Sequence, residues 1–94
     1  MNLHEEVQQA RQAKELLENA VFKAAIDNIR AGIYEKWRIA PIRDKEGMHE
    51  LKLMDKVLSE IEGYFKQVIE TGKMAEIQLE QEEKLARLKQ HGIR

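Results

Sequence analysis

The 94-residue chain has no cysteine, a single proline, and no apolar run approaching the ~20 residues of a membrane span. Without cysteine it forms no disulfide and offers no thiolate to a metal, and nothing directs it to an oxidising compartment. Residues Met1-Asn2-Leu3-His4-Glu5-Glu6 hold neither the basic segment nor the apolar stretch of a signal peptide. A soluble intracellular protein without membrane association is therefore expected. A net charge of −1 removes any general attraction to phosphate. What is present is 43% hydrophobic and 35% charged residues, a mixture that suits long solvated helices better than disorder or a sheet protein. The length allows one small domain (1–94), near the size where oligomerisation supplies burial that a single core cannot.

The second half of the chain has the clearest pattern. Leu51, Met54, Leu58, Ile61, Phe65, Val68, Gly72, Ala75 and Leu79 alternate steps of three and four residues. That is the repeat of a helix lying along another in left-handed, coiled-coil-like contact. The helix is expected from about residue 45 to 90, roughly 68 Å at ~1.5 Å per residue, with Asp44 as its N-cap, Glu46 in its first turn and Gly92 as its stop. Gly63 and Gly72 inside it each cost about 1 kcal/mol relative to alanine and so need a reason. Residues 39–45, around Pro41, form the one true turn, because proline lacks a donor and disfavours helix at Ala40.

The first half, about residues 3–38, has two apolar stripes that do not share a phase. One is Leu3, Val7, Ala10 and Leu17; the other is Phe22, Ile26, Ile29, Ile33 and Trp37. Either one helix rotates its buried face, or the helix breaks at 18–20 with Asn19 as a new N-cap, the reading preferred here. The expected fold is all-α: an antiparallel hairpin of two long helices, the first broken near residue 19, coiled-coil-like and oligomerising into a bundle.

Equal rise on both helices pairs positions whose numbers sum to about 84. Ile33 then falls opposite Leu51, Ile26 opposite Leu58, and Phe22 near Ile61. Ala10 and Ala13 fall opposite Ala75 and Gly72, and small residues on both sides permit a close approach, which gives Gly72 its reason. One seam leaves apolar residues over. Leu53, Val57, Tyr64, Met74 and Ile77 widen the stripe beyond what a two-helix hairpin covers, and such a patch marks an interface. A homo-oligomer is the simplest occupant, and a partner protein is the rival.

No catalytic, metal or cofactor site is expected. Glu46-Gly47-Met48-His49 spells the Glu-x-x-His half-motif of di-iron bundles, but the motif has no second copy and reads as a solvated first turn. Ser59, the only serine, has neither a histidine nor a glycine-rich elbow near it. Thr71-Gly72-Lys73 lacks the upstream glycine of a phosphate loop. Glu5/Gln9, Glu62/Lys66, Glu80/Lys84 and Glu83/Arg87 read as i,i+4 surface pairs. A candidate basic surface, Lys36, Arg38, Arg43 and Lys45, surrounds the turn, and Lys84, Arg87, Lys89 and Arg94 form a second cluster at the C-terminus. Trp37 beside the first cluster could stack on a base if exposed. Its place on the Ile26–Ile33 stripe instead has it close the hairpin core next to Met48.

The run Leu16-Leu17-Glu18-Asn19-Ala20-Val21-Phe22, Trp37 before the proline turn, the Arg43-Asp44 helix start and Glu70-Thr71-Gly72-Lys73 resemble short, all-helical proteins encoded by tailed bacteriophages and prophages. Ala20 stands where such relatives are expected to have proline. The resemblance implies a phage setting, in the host cytoplasm or associated with the virion, and assigns no functional residue. The leading expectation is a non-enzymatic, self-associating structural or assembly accessory. The alternatives are an antagonist of a host enzyme or defence system, acting by occluding a protein or sequestering a small charged ligand, and a DNA-packaging or nucleic-acid-binding accessory.

Overall fold

The structure, a computed structural model, describes residues 2–90. These form three α-helices in chain order, α1 (Leu3–Glu18), α2 (Ala20–Ile39) and α3 (Lys45–Gln90), with no strand among the described residues. The fold is therefore all-helical, but with three helices rather than two. Gly92, expected to stop α3, lies outside the described residues, as do His91 and Arg94.

Each boundary has a local chemical cause. Asn2 caps α1: its Oδ1 accepts the backbone N–H of Glu5 at 2.9 Å, and its side-chain amide donates back to the Glu5 carboxylate at 3.3 Å. Asparagine thus satisfies one of the backbone donors orphaned at the start of α1. The break falls at Asn19, whose backbone is extended (φ −67°, ψ 126°) and whose Oδ1 accepts from the Phe22 N–H at 2.9 Å. That side chain satisfies one of the donors orphaned at the start of α2. Ala40, held extended (φ −64°, ψ 137°) ahead of Pro41, ends α2. Asp44 starts α3 by accepting the Gly47 N–H at 3.0 Å. A Cβ at Gly47 would lie 2.8 Å from the Asp44 carboxylate carbon, so glycine leaves the cap its room.

Contacts divide the chain into two compact units. In the first, Leu16–Tyr64, α2 packs on the beginning of α3. Ile26, Ile33 and Leu58 form its core, with Phe22 and Leu51 half-buried against them. The expected Phe22–Ile61 end of this core is looser than the repeat suggests. Met54 and Ile61 are 47% and 42% exposed, because a single covering helix reaches Leu51 and Leu58 but not the positions that alternate with them.

The second unit joins most of α1 to the distal part of α3. Small residues fill its centre: Ala13 is 6% exposed, Ala75 is 2% exposed, and Gly72 is buried. A Cβ placed on Gly72 would collide with the Ala10 Cβ and sit 3.1 Å from the Glu6 carbonyl oxygen. Backbone carbonyl on one side and a methyl on the other leave no flexible group to yield. Gly63 has no such role, since a Cβ there meets nothing, and nothing in the structure explains that glycine.

In a helix interior, glycine to alanine ordinarily gains about 1 kcal/mol. Gly72→Ala is expected instead to lower the melting temperature, since overpacking costs typically 1–3 kcal/mol. Gly63→Ala, in open space, is expected to raise it. A clear rise for Gly72→Ala would contradict the close approach.

Candidate functional site

The Leu16–Tyr64 unit has an open groove of about 580 Å³ between α2 and α3, beside the turn. Ile33 and Leu51 from the core line its floor, Tyr34, Trp37 and Met48 its walls, and Lys45 and Lys52 its rim. The volume falls within the range of small-molecule pockets, and an apolar lining with a few charged groups is the usual composition of one. The Tyr34 and Trp37 rings lie 6.0 Å apart at a tilt of 32°, within the spacing at which aromatic pairs attract. Trp37 does meet Met48 in this groove, but it does not close the core, because half of its surface stays exposed. Its position one helical turn beyond Ile33 places it past the last well-covered turn of α2.

The electrostatics of this unit are partly self-contained. Arg30 on α2 donates to a Glu62 carboxylate oxygen on α3 at 2.6 Å. That hydrogen bond raises the arginine above its ordinary pKa against some desolvation, and the negative charges of Glu62, Asp55 and Asp27 add to the shift. Arginine is charged throughout the accessible pH range in either case. Arg38 donates from two nitrogens to the two oxygens of Glu35, at 3.1 and 2.6 Å. This fork neutralises one of the four cations of the candidate basic surface. Lys36, Arg43 and Lys45 are exposed and have no ion-pair partner among the described residues.

The candidate interface residues Leu53, Val57, Tyr64, Met74 and Ile77 are all exposed, by 49% to 66%. Ala10 is half-buried, and Ala13, Gly72 and Ala75 are buried. Glu46 and His49 stand in the first turn of α3, and no group of three potential metal ligands is found among the described residues. No described helix is long and apolar enough to cross a membrane. The pattern of the sequence missed the Arg30–Glu62 pair, because its partners are 32 residues apart and Glu62 also matches Lys66 at i,i+4. The available signal was opposite charge on facing helix edges. Tyr34 was missed because it stands off the Ile26–Ile33 stripe and becomes part of a wall only once α3 lies opposite.

No protein-family model matches the chain, and neither a curated protein nor a solved structure does.

The groove rests on a packed floor, which fixes the expected ranking of two substitutions. Ile33→Ala removes a side chain that is 9% exposed within the core and is expected to cost about 2–5 kcal/mol. His49→Ala removes an exposed residue that also lines the groove and is expected to stay within about 0.5 kcal/mol of the parent. Urea titrations followed by circular dichroism measure both, and equal costs would contradict a packed floor.

Proposed function

We propose that this protein is a non-enzymatic helical interaction module that works by assembling with copies of itself. In the phage setting that the resemblance implies, it would serve as a structural or assembly accessory. One observation supports this reading above the rest. Among the described residues only Ala13, Ile26, Ile33, Leu58 and Ala75 are buried hydrophobics, and none of the described side chains is fully enclosed. Leu53, Val57, Tyr64, Met74 and Ile77 supply an apolar face for a second copy to cover.

A second reading draws on the groove. Its apolar lining, with Lys45, Lys52 and Asp55 among it, suits a small, charged, partly apolar ligand, as an antagonist that sequesters such a molecule would need. Self-association is preferred because the groove accounts for little of the uncovered surface.

Light scattering after size exclusion, at micromolar concentration, tests the leading reading. The chain is expected to elute at a multiple of 11.0 kDa. Tyr64→Lys combined with Ile77→Lys is expected to shift the population toward monomer while helicity largely survives. A monodisperse wild-type monomer would overturn this reading.

A further inference from the structure

The turn that joins α2 to α3 holds apolar residues that neither the core nor the groove uses. Pro41 and Asp44 have their reasons there, one ending α2 and the other capping α3. Ile39 and Ile42 have none. Ile39 is 66% exposed, and Ile42, at 91%, is the most exposed large hydrophobic residue among those described. Turns ordinarily place glycine, proline, asparagine, aspartate or serine at such positions. One exposed aliphatic residue needs no explanation. These two, however, stand together with Tyr34 and Trp37, each more than half exposed within the last two turns of α2.

Charge gathers around the same tip. Residues 36–45 carry Lys36, Arg38, Arg43 and Lys45 against a single acid, Asp44, in a chain whose net charge is −1. Lys36, Arg43 and Lys45 are exposed and have no ion-pair partner among the described residues. Of the acids nearest in sequence, Glu35 is engaged by Arg38, Asp44 accepts the Gly47 N–H, and Glu46 stands in the first turn of α3. Aliphatic side chains at the apex, aromatic rings behind them and cations on both sides correspond to the acyl region, the headgroup boundary and the phosphates of an anionic lipid surface.

We propose that this turn docks the protein on an anionic lipid surface. Ile39 and Ile42 enter the outer acyl region, Trp37 lies at the headgroup boundary, and Lys36, Arg43 and Lys45 meet the phosphates. Two rival occupants fit the tip less well. A nucleic acid finds one ring to stack on in Trp37, but Ile39, Ala40, Pro41 and Ile42 offer its bases neither an aromatic face nor a side-chain hydrogen bond. A partner protein needs a cavity shaped to the convex end of a turn, whereas a fluid bilayer receives an apolar wedge of any shape. The expectation of no membrane association rests on the lack of a crossing helix, and surface binding needs no such helix. Self-association is not required either, since residues 34–45 belong to the Leu16–Tyr64 unit alone.

Trp37 is the only tryptophan, so its fluorescence reports on the tip directly. The chain is titrated with vesicles of equal parts phosphatidylglycerol and phosphatidylcholine, and with vesicles of phosphatidylcholine alone, with sedimentation of the vesicles as a second readout. The expected result is a blue shift and sedimentation with the mixed vesicles only, weakening as salt is added. Ile39→Ser combined with Ile42→Ser, checked for helicity by circular dichroism, is expected to weaken binding by about tenfold or more. Lys36→Gln and Arg43→Gln are expected to weaken it by about fivefold each. Absence of both signals with the mixed vesicles would overturn the proposal, as would equal binding to phosphatidylcholine alone. Undiminished sedimentation of the isoleucine double variant would place the contact on another surface and overturn it too. A fluorescence change with single-stranded DNA but none with vesicles would show a nucleic-acid surface in its place.

Discussion

A helix packed against one other helix can bury a single stripe, and this geometric limit governs the whole structure. In each unit α3 has one covering helix, α2 in one and α1 in the other. The result, among the described residues, is five buried hydrophobic side chains, two of them alanine. Full burial of a leucine or isoleucine is worth about 1.5–3 kcal/mol, and only three of those five side chains are of that size. Small domains with too little core recover the difference by oligomerising, by binding metal or by forming disulfides. With no cysteine in the chain and no metal cluster among the described residues, assembly is the route that the proposed function adopts.

The two units meet the same limit with different chemistry. Around Ile26, Ile33 and Leu58, aliphatic side chains interlock and the Arg30–Glu62 pair ties the helix edges together. Around Gly72 the helices come so close that the backbone of α1 and the Ala10 methyl take up the space a side chain would need. The first solution buries area per residue; the second gains contact by shortening the distance between axes. Leu53, Val57 and Tyr64 in the one, and Met74, Leu85 and Leu88 in the other, stay exposed on α3.

Much of the architecture was legible in the sequence because it depends on local rules. The 3,4 repeat of Leu51–Leu79 and the dense charge between its members announced an all-helical chain, and Pro41 with Asp44 announced the turn. The change of phase near Asn19 also had a readable cause, a side chain suited to capping the Phe22 N–H. What escaped depends on tertiary geometry. Periodicity alone makes Met54 and Ile61 equivalent to Leu58, yet nearly half of each is exposed, since the repeat does not say which of its members a single covering helix reaches. Trp37 lies on the core stripe but overshoots the covered turns and becomes a groove wall. The groove itself had no sequence signature, because its lining comes from two helices joined across the turn. Nor does the pattern of residues choose between a second copy and another protein as the occupant of the exposed face.

The central claim is that burial between copies completes the fold. The most direct test is the dependence of the thermal unfolding midpoint on protein concentration, followed by circular dichroism from sub-micromolar to several hundred micromolar chain. If folding and association are linked, the midpoint rises steadily with concentration, as mass action requires when partners bind only the folded state. A midpoint constant over that range, with a sharp and fully reversible transition, would show that the 94-residue chain is stable alone and would contradict the account.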